Sequence, residues 1–216
     1  MISINKLSKS YKGNSGSQRV FKNLSYEFES SGVYSILGSS GSGKTTLLNL
    51  ISGLDSFENG TIEVFNQNLS KLSVEEKSAL RKKYFGFGYQ FHYLLANLSI
   101  YENCLAANFG VDNGNIDLTL KKLGIAKIKN KLPSKVSGGE KQRASIARAI
   151  SKKPSILILD EPTGNLDQEN SLIVQDFLLD YAKENDSLVI YATHDILFAK
   201  RAYKSLNIIK GSLVEA

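Results

Sequence analysis

A chain of 216 residues, 42% of them hydrophobic, buries enough apolar surface to fold without staples, and no stretch of it approaches the roughly 20 apolar residues that span a bilayer. Its single cysteine, Cys104, excludes an internal disulfide framework, suits a reducing compartment and reads as a small, half-buried hydrophobe. The net charge of +6 is spread over scattered lysines (Lys6, Lys9, Lys12, Lys71, Lys121, Lys122, Lys127, Lys129, Lys131), a solvated surface rather than the gathered basic face that a nucleic acid or an anionic lipid would want.

Strand and helix patterns alternate along the chain, which argues an α/β fold. Residues 2–7 and 19–29 read as strands joined by a loop over 12–18. Residues 33–37 form a short apolar strand that stops at Gly38, and a helix follows from Lys44 to Ser52, with Gly53 suited to end it. Asn59-Gly60 signals a turn before a strand over 61–65. Ser73 and Glu76 form a capping-box pair that opens a charged helix to about Tyr84, and 85–89 follows as a strand. Residues 91–135 place apolar side chains at helical spacing, as in Leu118, Leu120, Leu123 and Ile125, and predict a mainly helical insertion. A helix from Gly139 to about Ser151 has Ile146, Ala149 and Ile150 on one face and closes before Pro154. Residues 156–159 and 188–192 are apolar runs of the kind found in strands buried on both faces. Helices over 168–184 and 195–202 and a strand over 206–210 complete the chain. No apolar segment follows Lys6 as a signal peptide requires, so a cytoplasmic protein is expected.

Gly38, Gly43, Lys44 and Thr45 satisfy G-x-x-x-x-G-K-[ST], with Ser39, Ser40, Gly41 and Ser42 between them and Thr46 just behind. Glycines let the backbone turn tightly so that successive N–H groups form an anion nest. The helix beginning near Lys44 aims its positive end at the same point. Lys44 then neutralises β- and γ-phosphate oxygens, and the Thr45 hydroxyl is placed to ligate Mg²⁺. A glycine-rich loop can match by chance; here it follows an apolar strand and opens a helix, as the chemistry requires.

Asp160 and Glu161 stand at the end of a buried strand, where ligands gather in open α/β sheets. Asp160 can hold Mg²⁺ through water, and Glu161 can take the proton of an attacking water. Paired acids at such a place also serve as helix caps, a reading that the phosphate loop in the same chain disfavours. Ser137-Gly138-Gly139-Glu140 opens another helix and offers a second anion site. Either the chain binds two phosphates, or the second device serves a nucleotide held by another copy in a head-to-tail dimer. His194 follows the strand over 188–192 and can reach a γ-phosphate, although a lone histidine in such a loop is more often structural, the reading preferred for His92.

With these residues assembled, the chain resembles the nucleotide-binding domain of an ABC (ATP-binding cassette) ATPase over essentially its whole length. The most specific stretch is Ser137-Gly-Gly-Glu-Lys-Gln-Arg143 upstream of Leu159-Asp-Glu-Pro162. The resemblance implies a P-loop core of mixed sheet flanked by helices, with an N-terminal antiparallel β part, over 1–90 and 154–216. It implies a helical subdomain over 91–153, the whole of 1–216 being one ATPase domain. It also implies that ATP and Mg²⁺ are bound and ATP hydrolysed. Tyr11 falls where an aromatic stacks on adenine. Gln90 falls at the Q-loop, which senses Mg²⁺ and the membrane partner. Ser137, Gly138 and Gly139 reach the γ-phosphate held by the other protomer. Asn165-Leu166-Asp167 is the D-loop and His194 the switch histidine. Val136 stands where leucine is usual, a swap of similar volume.

A finer resemblance, carried by residues 89–95 and 161–167, points to the branch of lipoprotein-releasing and macrolide- or peptide-exporting transporters. It implies a homodimer on ATP binding and a separate transmembrane permease subunit. The chain would then sit peripherally on the inner face of the membrane, with no nucleic acid expected. Phe91, Tyr93, Leu94 and Leu95 are expected to line a groove for a permease helix, or else to be core. A rival is a non-transport ABC ATPase of the DNA-repair kind. Such proteins insert a long coiled coil between the phosphate loop and the signature, and no heptad run separates Thr45 from Ser137. A module that binds ATP without cleaving it is disfavoured by intact Glu161 and His194.

Overall fold

Continuous apolar strands demand cover on both faces, and this requirement organises the molecule. The computed structural model describes residues 2–13, 16–112 and 114–216. In chain order its elements are β1 (Ile2–Gly13), β2 (Gly16–Phe28), β3 (Gly32–Leu37), α1 (Lys44–Ile51), β4 (Asn59–Val64), β5 (Gln67–Asn68), α2 (Val74–Tyr84) and β6 (Phe85–Gly88). There follow α3 (Ile100–Ala107), α4 (Asn115–Lys122), α5 (Gly138–Ile150), β7 (Ile156–Asp160), α6 (Gln168–Asn185), β8 (Leu188–Thr193), α7 (Ile196–Ala199), β9 (Lys204–Ile209) and β10 (Ser212–Glu215).

A six-stranded sheet has the order β10-β9-β3-β8-β7-β6. All its pairings are parallel except β10 with β9. A four-stranded antiparallel sheet, β2-β1-β4-β5, lies against one of its faces. The two-residue period of the strands divides the interior. Ile156 and Ile158 of β7 and Leu188 and Ile190 of β8 enter a core closed by Leu47, Leu50 and Ile51 of α1 and by the antiparallel sheet. Leu157, Leu159, Val189 and Tyr191 enter a second core under α3, α4, α5 and α6. Each fully buried side chain of this size contributes about 1.5–3 kcal/mol. Cys104 lies in the second core, more deeply buried than its sequence reading allowed.

Ser73 and Glu76 form the expected reciprocal cap of α2. Among the described residues no strand interrupts the chain between Gly88 and Ile156, where only helices and 3-10 turns occur. The segment over 12–18 differs from expectation. Tyr11 pairs with Gln18 and Gly13 with Gly16, so the β1–β2 ladder continues to Gly13 and Gly16; Asn14 and Ser15 lie outside the described residues. Backbone pairing there needs no apolar side chains, which is why composition hid it. The predicted helix over 195–202 is only α7, because the chain must turn to enter β9 at Lys204. The edge strands β5 and β10 went unread: one has two residues, the other is mostly exposed. No helix among the described residues is long and apolar enough to cross a membrane.

Gly86 sets the approach of α5 to β6. A methyl group there would lie 2.2 Å from the Ala149 carbonyl oxygen and 2.7 Å from Pro154 Cγ. Backbone cannot yield as a flexible side chain can, so Gly86→Ala is expected to destabilise by about 1–3 kcal/mol. Thermal melts should show a fall of about 2–4 °C per kcal/mol for a chain of this size.

Candidate active site

β3, β8, β7 and β6 run in the same direction, and the residues at or beyond their carboxyl ends converge on one cavity of about 520 Å³. The 40–46 loop follows β3, Asp160 and Glu161 close β7, His194 follows β8 and Gln90 follows β6; all line this cavity. The arrangement is the one by which open α/β sheets bind ligands.

The loop from Gly38 to Thr45 is shaped by its glycines. Gly43 has φ +105°, and a Cβ there would lie 2.5 Å from Val20 Cγ1, so conformation and space both exclude a side chain. Gly43 is also the N-cap of α1 and offers no side-chain cap. The positive end of α1 therefore faces the cavity free of any side-chain partner, ready for an anion. The Lys44 ammonium bends back to donate to the carbonyls of Gly38 (2.7 Å) and Ser39 (3.3 Å).

Thr45 Oγ1 donates to Asp160 Oδ2 at 2.7 Å. Asp160 is buried, and burial pushes its carboxyl pKa up; the Thr45 hydroxyl opposes this and neighbouring Glu161 adds to it. Glu161 adopts φ +50°, a left-handed conformation disfavoured for any side chain but glycine. Its N–H donates to the Ala192 carbonyl (3.0 Å), extending the ladder with β8 one residue past the strand. Its Oε2 lies 2.9 Å from His194 Nδ1. The Glu161 side chain is 12% exposed and that of His194 72%, so the imidazole covers the carboxylate from the solvent side.

Thr45 and Asp160 present hard oxygen donors side by side, and Gln90 lines the same cavity. No group of three or more His, Cys, Asp or Glu among the described residues could hold a metal unaided. The donor set fits Mg²⁺, which takes few protein ligands and completes its shell with phosphate and water.

Tyr11 stands at the cavity rim with its ring half exposed. Its hydroxyl donates to Asp55 Oδ2 (2.6 Å), Asp55 pairs with Lys9 (2.9 Å), and the Lys9 ammonium lies 4.5 Å from the ring centroid. Burial and the bond to Asp55 push the phenol pKa up and keep it neutral. Asp55 escaped the sequence reading, and Lys9, read there as one of the solvated lysines, is instead buried against it, since nothing local marks a partner 44 or 46 positions away.

Ser137, Gly138 and Gly139 do not line this cavity. They begin α5 in a capping box: Glu140 N–H donates to Ser137 Oγ (3.2 Å), and Ser137 N–H donates to the Glu140 carboxylate (2.7 Å). A Cβ at Gly138 would meet nothing within 4 Å, so this turn is open, and Gly139 abuts Leu166 and Asn165. Phe91, Tyr93 and Leu95 are exposed, but Leu94 is partly buried and packs on the second core, so it is no part of an open wall.

A family model described as "ABC transporter" matches residues 21–164. The lipoprotein-releasing system ATP-binding protein LolD of Wigglesworthia glossinidia brevipalpis is 40% identical over 99% of this chain and 96% of its own length. LolD of Pseudoalteromonas translucida is 36% identical over 99% of this chain and 94% of its own. Among solved structures, the dimeric form of MJ0796, a bacterial ABC transporter cassette, is similar with a TM-score of 0.92 at 29% identity, covering 100% of this chain and 98% of that one. Its post-hydrolysis dimer bound to ADP and Pi has a TM-score of 0.92 at 28% identity over the same shares.

Lys44→Ala removes the one cation that lies within the loop. A charge-assisted contact of this kind is worth about 1.5–3 kcal/mol. Titration with a fluorescent ATP analogue should show affinity reduced about 10- to 100-fold; unchanged affinity would sink the phosphate-clamp role.

Proposed function

The chain belongs to the ABC transporter family, and from that premise we propose that two copies close head to tail over two ATP molecules and drive a separate membrane subunit that releases lipoproteins. The chain is an ATP-binding, ATP-hydrolysing subunit. The observation that carries the dimeric site is the position of Ser137–Gly139, an open helix start outside the cavity that holds the rest of the machinery. Near full-length likeness to lipoprotein-releasing subunits supports the substrate class.

In this reading Tyr11, steadied by Asp55 and Lys9, stacks on adenine. The amides of residues 39–46 and the free end of α1 cradle the phosphates, and Lys44 leaves the Gly38 and Ser39 carbonyls for phosphate oxygens. Thr45, Asp160 and Gln90 would hold Mg²⁺, which when bound neutralises charge on the transferred phosphoryl group. Glu161 accepts the proton of the attacking water, and His194 holds that carboxylate in place. The partner copy's signature closes the pocket from the far side. The chain rests on the inner face of the membrane through its permease, with Phe91, Tyr93 and Leu95 against it.

Glu161→Gln keeps shape and loses the base. Turnover should fall about 10²–10⁴-fold, ATP binding should persist, and size-exclusion chromatography with MgATP should show a trapped dimer. Normal hydrolysis would contradict the assignment. For the transport role, the chain recovered from solubilised membranes should bring a membrane protein with a large extracytoplasmic domain, and the pair should release lipoprotein from vesicles only with ATP. Recovery of nucleic acid in place of that protein would overturn it.

A further inference from the structure

α5 presents three polar side chains one turn apart, Gln142, Ser145 and Arg148, and all three end on backbone carbonyls of other segments. Ser145 Oγ donates to the His92 carbonyl at 3.2 Å. The Arg148 guanidinium donates to the Tyr93 carbonyl. Gln142, 1% exposed, donates from Nε2 to the Glu161 carbonyl at 3.4 Å. A spacing of three puts them on one ridge of the helix, so the ridge touches the loop behind Gln90 at one end and the acidic end of β7 at the other. From α3, Asn103 grips the same loop, accepting from Leu95 N–H (2.7 Å) and donating to the Leu95 carbonyl (3.1 Å). The loop's rings, Phe91 and Tyr93, are exposed while its backbone is fastened to two helices. His92 and Tyr93 sit at φ +63° and +47°, left-handed values that this fastening maintains.

Two buried polar atoms in this assembly lack partners: His92 Nε2 and Gln142 Oε1. The imidazole and the Gln142 amide are adjacent, but no hydrogen bond of normal geometry joins them. One atom can carry a proton and the other can only accept, so they are complementary, and leaving both open while buried is unfavourable. A shift of the loop that aligns the two atoms would make the bond. Gln142 would then hold His92 with its oxygen and Glu161 with its nitrogen.

We propose that Gln142 is a positioning residue that relays displacement of the Phe91–Tyr93 loop, through His92, to the main chain of Glu161. The proposal rests on the reading of Glu161 as general base. The Glu161 carbonyl also accepts from Gly164 N–H (3.2 Å), and its N–H is held by Ala192, so Gln142 is the side-chain member of a main-chain clamp. At φ +50° a small change in that clamp swings the carboxylate. A misplacement of about 1 Å near a reacting centre costs about 100-fold in rate. A partner pressing on the exposed rings thereby sets the base, by a route separate from Gln90.

The test follows single-turnover ATP hydrolysis by the full chain co-purified with its membrane subunit, with ATP affinity from fluorescent titration and a melt for each variant. Gln142→Met fills the same volume without the polar atoms, and His92→Ala breaks the relay at its surface end. Each is expected to slow hydrolysis about 10- to 100-fold at unchanged ATP affinity. The double variant should be no slower than Gln142→Met alone, and His92→Gln, which restores an amide partner, should recover most of the rate. Rates within twofold of the unaltered chain, or losses that multiply in the double variant, would overturn the relay. Should Gln142→Met not fold, His92→Ala against His92→Gln decides alone: equal rates sink the proposal. Glu161→Gln is measured in parallel. Normal turnover there refutes the base assignment, whereas its loss beside unimpaired Gln142 and His92 variants refutes only the relay.

Discussion

The hydrogen bond from Thr45 to Asp160 joins residues 115 positions apart and sets the distance between the two halves of the nucleotide chemistry. Thr45 is the second residue of α1, and Asp160 is the last of β7. Between their strands lies β8, so the bond spans a strand that contributes no group to it but supplies His194 one step further on. The sheet must therefore keep its register across three strands for the hydroxyl and the carboxylate to meet. Pairing of Leu37 with Thr193 and of Asp160 with Ala192 holds that register at the residues nearest the cavity. Two cores packed on opposite faces keep the sheet from shifting, and so the burial of Leu157 or Ile190 matters to chemistry several residues away.

How much of this could be read from sequence follows how local each feature is. The phosphate loop depends on glycines and one lysine within eight residues, and its physics is complete in that span. The apolar runs over 156–159 and 188–192 announced strands buried on both faces, and the alternation of Ile158 and Leu159 between cores bears this out. The cap of α2 by Ser73 and Glu76 was equally legible. Features fixed by distant partners were not. Asp55 beneath Tyr11 depends on a partner 44 positions away that no short window of residues contains, whereas the β10 edge, paired with β9 across a tight turn, was hidden by its exposed side chains. Gln142 stood in plain view within the Ser137–Arg143 stretch, yet its contact with Glu161 is invisible until α5 is laid against the end of β7. The pairing of Tyr11 to Gly13 with Gly16 to Gln18 was missed for a different reason: a long preceding ladder carries even glycine and serine, weak strand formers, into backbone pairing.

Exposure is also divided in a meaningful way. The cavity residues are each fastened to a partner: Thr45 to Asp160, Glu161 to Ala192 and His194, Tyr11 to Asp55. The open surfaces are those that a second molecule would cover, namely the turn at Gly138 and the rings of Phe91 and Tyr93. Both flank α5, whose inward face belongs to the second core. A single helix thus carries an outward-looking end and an inward-looking ridge.

The cap at the start of α5 has a bearing on how often the machine can cycle. Ser137 uses an oxygen lone pair to receive the Glu140 N–H, which leaves the hydroxyl proton uncommitted. An anion arriving in front of that turn can take this proton without breaking the cap, and its charge favours the helix end it approaches. In the proposed dimer, docking and release would then leave α5 wound in both states, and no segment would have to melt and re-form on each round.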